Sequence, residues 1–138
     1  MLLSEPESRA RFIAAPSAVL ATADGDGRPH VVPVTFAVLD DHLWIAVDDK
    51  PKRTTDLRRL RNIAANPRVS LLVDHYDDDW TRLWWTRADG TARVTAFDEL
   101  DGRLLAALQR RYSHYVTNPP SGAVIDVDVE RWSGWSFA

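Results

Sequence analysis

The sequence predicts a mainly β protein, an antiparallel barrel with accessory helices. Three observations carry this expectation: apolar residues alternate with period two over much of the chain, Asp-Gly pairs punctuate those runs, and only two stretches change to a helical period. With 138 residues, 45% of them hydrophobic and 27% charged, the chain is expected to form one globular domain over 1–138. No apolar run approaches the roughly 20 residues of a membrane span. The N-terminal residues mix Glu5 and Glu7 with Arg9 and Arg11 and hold no apolar core ahead of a small-residue cleavage site, so a cytoplasmic location is expected. The chain has no cysteine, which excludes disulfides, thiolate metal sites and cysteine nucleophiles. A net charge of −3 opposes nucleic-acid binding.

Residues 17–23 form a short apolar run, and the double Asp-Gly from Asp24 to Gly27 predicts a tight hairpin. His30, Val32, Val34, Phe36 and Val38 then alternate with Val31, Pro33, Thr35 and Ala37, predicting one long strand over 29–39. Asp40-Asp41 turns the chain into a strand over 42–47, where Leu43, Ile45 and Val47 share one side, to complete a three-stranded meander. Leu57, Leu60, Ile63 and Ala64 recur at helical spacing. A helix is therefore expected over 55–65, capped by Thr54 or Thr55 and stopped by Asn66-Pro67. Strand returns over 68–76, with Val69, Leu71 and Val73 on one face. After the acidic loop Asp77-Asp78-Asp79, strands over 80–87 and 91–97 are expected to flank a hairpin at Asp89-Gly90. Leu100, Leu104, Leu105 and Leu108 describe an amphipathic helix over 98–112 with Asp98 as its cap. A strand over 124–129 and an aromatic tail with Trp132, Trp135 and Phe137 close the chain.

Pro33 interrupts the strand that otherwise looks most regular, because proline donates no ladder hydrogen bond. It marks either an edge strand or bulge, or a backbone that faces a flat ligand. The segment Lys50-Pro51-Lys52-Arg53-Thr54-Thr55 brings three cations, two hydroxyls and a helix start into one short loop. That set suits a phosphate, and it equally describes a solvated basic loop beside a cap. Arg58, Arg59 and Arg61 extend the basic surface toward a polyanionic tail or form the wet face of a helix. Trp80, Trp84 and Trp85 are rings for a planar ligand, a partner subunit or the core. Asp74, His75, Asp77, Asp78 and Asp79 read as a polar loop and not as a metal site, since no paired histidine or calcium-loop pattern accompanies them.

Ala18-Val19-Leu20-Ala21-Thr22 before the first hairpin, Pro29-His30-Val31-Val32-Pro33-Val34-Thr35-Phe36, and Asn66-Pro67-Arg68-Val69 together resemble the pyridoxamine 5'-phosphate oxidase-like split β-barrels. The resemblance covers nearly the whole chain. The run from Lys50 through Ile63, with Asp74-His75-Tyr76-Asp77-Asp78-Asp79-Trp80 and Leu83-Trp84-Trp85, is similar to the deazaflavin-dependent oxidoreductase branch. What this implies is an FMN-binding split-barrel type of fold with six to seven antiparallel strands, and a homodimer with cofactor across the subunit interface. The implied activity is hydride transfer between coenzyme F420 and a small conjugated acceptor.

By position, the resemblance puts His30, Val32, Pro33 and Val34 beside the cofactor ring. Ala46 and Val47 fall on the strand leading to the phosphate, Lys50, Lys52, Arg53 and Thr54 in the phosphate segment, and Arg59 at a basic phosphate contact. Trp80 is the aromatic candidate. The catalytic residue is left unassigned; His30, His75 and Tyr76 are the candidate proton donors. The tail Arg131-Trp132-Ser133-Gly134-Trp135 departs from the arginine-and-histidine ending of true pyridoxamine phosphate oxidases, which disfavours that reaction. FMN is the alternative cofactor. A non-catalytic cofactor- or haem-binding protein, with His30, His42, His75 or His114 as axial ligand, is the alternative of a different class.

Overall fold

The computed structural model describes residues 1–47 and 57–138. In chain order the elements are α1 (Glu5–Ala14), β1 (Ala18–Ala23), β2 (Pro29–Val34), β3 (Ala37–Leu39), β4 (His42–Ala46), α2 (Arg58–Ala65) and β5 (Arg68–His75). A 3-10 turn, Trp80–Arg82, precedes β6 (Trp84–Ala96); a second, Phe97–Glu99, precedes α3 (Gly102–Arg111), α4 (His114–Thr117) and β7 (Ala123–Ser136). The strands form one seven-stranded sheet in the order β2-β1-β5-β6-β7-β4-β3, antiparallel at every pairing. This is the split-barrel architecture, mainly β with accessory helices.

Two long strands organise it. β6 pairs with β7 along its whole length, while β5 takes the other edge of the first half of β6 and β4 the other edge of the Val124–Asp128 stretch of β7. The register slips between Asp89 and Gly90, where Asp89 faces Arg131 and Gly90 faces Val129, leaving Glu130 as the extra residue of a bulge. Asp89-Gly90 is therefore not the hairpin that its sequence predicts. Asp89 accepts hydrogen bonds from Ser70 Oγ (2.6 Å) and Arg87 Nε (3.0 Å), and the missing side chain of Gly90 lets its backbone press against Asp128 and Val129. A glycine that permits close approach and a glycine that permits a turn look the same in sequence.

The expected long strand over 29–39 also breaks in two, and its parts join opposite edges of the sheet. The cause lies 76 residues along the chain. At Phe36 the backbone is held by a side chain: its N–H donates to Tyr112 Oη (3.1 Å), and the same hydroxyl meets the Phe36 carbonyl at 3.0 Å and that of Pro16 at 3.1 Å. Consequently β2 pairs with β1 alone and β3 with β4 alone, so no three-stranded meander forms.

The two turns at 24–27 and 40–41 behave as the sequence predicts. Asp24 Oδ1 accepts from the Asp26 and Arg28 amides (both 2.9 Å), with Gly27 at φ 83°, and Asp40 and Asp41 both take positive φ. α2 begins at Arg58 behind an extended Leu57, later than the expected 55. Asp98 lies in a 3-10 turn, and the cap of α3 is Asp101, whose carboxylate accepts from the Arg103 amide (2.9 Å). Residues 5–14, given no element from sequence, form a helix capped by Ser4.

Phe12 of α1 enters the main core, where Leu20, Leu43, Leu71, Ile125 and Val127 are fully buried. Its ring meets Phe36 at 5.0 Å and Trp132 at 5.3 Å. A second cluster packs Leu104, Leu108 and Tyr115 against Ala37, Ala46 and Val124. Adjacent Val124 and Ile125 thus feed different clusters, as the strand period requires. Asp126, also buried, ties three strands through His42 Nδ1 (2.5 Å) and Arg93 Nε (3.0 Å). A Cβ at position 90 would run into the Asp128 carbonyl oxygen and lie 3.1 Å from Val129 Cα. Gly90→Ala is accordingly expected to destabilise the fold by about 3 kcal/mol, read as a lower urea midpoint with an unchanged m-value.

Candidate functional site

β2 is an edge strand, so the missing N–H of Pro33 faces no absent neighbour on its free side. The pleat puts His30, Val32 and Val34 opposite Thr22, Leu20 and Ala18 on the inner face and turns Val31 and Pro33 outward. Where β2 ends, a pocket of about 220 Å³ opens between Pro33, Val34, Thr35, Ala46 and Tyr115. Two of the expected ring-side residues, Pro33 and Val34, meet here with Ala46, a residue expected on the strand leading to the phosphate. Thr35 Oγ1 and Tyr115 Oη lie 3.1 Å apart at its polar corner. Val32 packs against the main core, and buried Val47 donates its amide to the Ala123 carbonyl (3.0 Å). Neither lines the pocket itself.

Past Val47 the chain enters residues 48–56, so Lys50, Lys52, Arg53 and Thr54 lie outside the described residues. The helix that follows is fixed from below. Asn62 Nδ2 donates to Thr22 Oγ1 (3.0 Å), both groups buried, which pins α2 to β1. Beside this contact Arg28, Arg58, Arg61 and Asn62 line a second pocket, of about 290 Å³, with Asp24 at its rim. The Arg28 amide holds the Asp24 carboxyl below its ordinary range, with the Asp26 amide and the charges of Arg28 and Arg58 adding to the effect. One carboxylate therefore offsets part of a cationic surface. Half-buried Arg59 is not among the lining side chains. His30 sits on the inner face across from Thr22, and among the described residues nothing hydrogen-bonds its buried Nδ1.

A larger concavity among the described residues lies elsewhere on the outer surface. A groove of about 710 Å³ runs between Tyr76, Trp80, Trp84, Trp85, Trp135 and Phe137, with Leu72 and Leu83 in its lining. Trp80, two-thirds exposed, stands on a preset turn: Asp79 Oδ1 accepts from the Thr81 amide (3.1 Å) and hydroxyl (2.6 Å), and Asp77 accepts from the Asp79 amide (2.9 Å). The Thr81 hydroxyl, then its amide, hold the Asp79 carboxyl below the usual range. These carboxylates serve the loop itself. Trp80, the aromatic candidate of the sequence, thus lines this groove and not the Pro33 pocket. Of the candidate proton donors, Tyr76 lines the groove and His75 stacks on Trp84 at 6.2 Å, whereas His30 is at the α2 end.

A third depression, of about 430 Å³, adjoins both the Pro33 pocket and this groove. It shares Ser17 and Pro33 with the first and Leu72, Asp74 and Trp84 with the second. Sequence reasoning missed Tyr112, Tyr115, Asn62 and Arg28. Only Asn62, a polar residue on the apolar side of α2, carries a visible signal; the two tyrosines act across a long separation.

The family model for pyridoxamine 5'-phosphate oxidase matches residues 4–136. No curated protein matches the sequence. Among solved structures, the chain is similar to a conserved hypothetical protein of Mycobacterium tuberculosis, with 21% identity, TM-score 0.77, and coverage of 98% of this chain and 86% of that one. It is also similar to a FAD-binding protein of Mesorhizobium loti, with 26% identity, TM-score 0.66, and coverage of 97% and 93%. The haem storage protein HutZ of Vibrio cholerae superposes with TM-score 0.72 at 19% identity, over 96% and 93% of the two chains.

Asn62→Ala would strand the buried Thr22 hydroxyl and release the base of α2. The expected cost is about 2 kcal/mol, measured by chemical denaturation, and Thr22→Val in the same background should recover part of it.

Proposed function

Because the chain belongs to the pyridoxamine 5'-phosphate oxidase family, we propose that it is an oxidoreductase holding a flavin-type ring cofactor, with the deazaflavin coenzyme F420 as carrier. The observation that carries this reading is the meeting of Pro33, Val34 and Ala46 in one small pocket of mixed lining, where Ser17, Thr35 and Tyr115 bring hydroxyls beside the apolar side chains. An edge-strand wall that offers apolar side chains and a few backbone groups suits one end of a planar heterocycle. The bound cofactor would supply the hydride, and a small conjugated acceptor would receive it.

The work left to the protein is binding and orientation. Pro33, Val34 and Ala46 fix the plane of the ring, while Val32 and Val47 stiffen the wall from behind. Lys50, Lys52, Arg53 and Thr54 follow directly in sequence and supply the charge and hydroxyls for the phosphate. The cationic pocket of Arg28, Arg58 and Arg61 favours an anionic tail beyond it. Val19, Val31 and Leu72 are exposed apolar residues on the same face as Pro33, and a second copy of the chain covering them would shield the ring from water. The proton that completes acceptor reduction is assigned to solvent or to Tyr76 or His75.

FMN is the second reading, favoured by the similarity to the FAD-binding protein of Mesorhizobium loti. Haem binding is the third, favoured by the similarity to HutZ. Titrating the purified protein with oxidised coenzyme F420, FMN and haem separates them. The expected result is saturable quenching by F420, weakened about tenfold in Lys52→Ala and in Arg58→Ala, since each removes one cation from the anion's surroundings. Tighter binding of FMN would move the assignment to a flavin enzyme. A Soret band without binding of either ring cofactor would replace it with haem binding.

A further inference from the structure

We infer that the aromatic groove between Tyr76, Trp80, Trp85 and Phe137 is the acceptor subsite, seating a flat, uncharged molecule of two or three fused rings; this rests on reading the Pro33 pocket as the cofactor-ring site. Five observations converge on it. The groove, at about 710 Å³, is roughly three times the volume of the Pro33 pocket and falls within the range of sites that enclose a small ligand, about 300–1,000 Å³. Its walls are rings set at steep angles, with Trp135 and Phe137 at 89° to one another. Such walls present both faces and edges to a planar guest.

Charge selects the same class of guest. Asp74 and Arg87 are the charged residues among the lining side chains, so the groove carries no net charge to favour an ion. Arg87 is also engaged, with its guanidinium 5.6 Å above the Trp85 ring and 3.0 Å from Asp89 Oδ2. The position of the groove completes the argument. The depression containing Ser17, Val19 and Pro33 shares Leu72, Asp74 and Trp84 with the groove, and Pro33, Val19, Leu72 and Arg87 follow one another across four paired strands, so a ring whose one end is held at Pro33 would extend along this row toward a guest among the tryptophans. Finally, the turn that carries exposed Trp80 is built in advance by the Asp77 and Asp79 hydrogen bonds, which lowers the entropy lost when the indole closes on a ligand.

Phenazine is a suitable probe: three fused rings, uncharged at neutral pH. Four of the six tryptophans line the groove, so its binding to the cofactor-free protein is expected to quench most of the tryptophan emission. Trp80→Ala and Tyr76→Ala remove exposed rings outside the core and should each weaken binding about tenfold. Naphthalene-2-sulfonate, which is flat but anionic, should bind more weakly than phenazine. Equilibrium dialysis of the cofactor-loaded protein should show phenazine retained with its affinity within about threefold. Displacement of phenazine by FMN or F420 would overturn the inference, because the groove would then hold the cofactor ring. A fall in sedimentation coefficient on Trp80→Ala would overturn it in favour of a subunit contact. Binding of FMN or F420 without phenazine would sink the groove alone. Binding of phenazine by a protein that takes up neither FMN nor F420 would sink both the acceptor role and the oxidoreductase reading.

Discussion

The pairing of β6 with β7 is the constraint on which the rest of this molecule depends. These two strands are the longest in the chain, and every other strand reaches the sheet through one of them. The half that carries β5, β1 and β2 leans on the start of β6, and the half that carries β4 and β3 leans on β7. The Gly90 bulge sits between the halves and lets the paired strands bend there without losing their ladder. A ladder this long gives the two edges, β2 and β3, fixed positions although they follow one another in sequence.

Those edges matter because the Pro33 pocket is made from both halves. Pro33 and Val34 come from the β2 edge, Ala46 comes from β4, and Tyr115 comes from α4 between β6 and β7. The Tyr112 hydroxyl supplies the link, since it satisfies the backbone at Phe36 where the chain leaves one half for the other. A buried or half-buried amide without such a partner is costly, so one tyrosine side chain takes the place of a strand neighbour at the crossing point. The Asn62–Thr22 contact does comparable work at the other end of β1, where it aligns the basic helix with the barrel.

The outer surface divides by chemistry. Arginines gather around the start of α2, while exposed aliphatic and aromatic side chains form a band from Val31 and Val19 across Leu72 to Trp80 and Phe137. Cationic and aromatic surfaces therefore stand apart on this chain, and each suits a different part of a ligand. A band of exposed apolar side chains marks a surface on which a partner or a ligand gains by burying it.

The sequence by itself determined the class of the fold, the position of most strands, the first two turns and the two helices after β4 and β6, because alternation, turn residues and capping are short-range properties written in neighbouring side chains. It also drew attention to Pro33, Ala46 and the tryptophans. Only the tertiary structure decided that 29–39 is two strands on opposite edges, that Asp89-Gly90 is a bulge inside a single strand, and that Trp80 stands with Tyr76 and Phe137 away from Pro33. Each of those outcomes is set by a partner far along the chain: Tyr112 for Phe36, Asp128 for Gly90, the end of β7 for the groove. Local sequence fixes what a segment is able to form, whereas its neighbours in the sheet fix which backbone groups still need a partner and which faces are left open to a ligand.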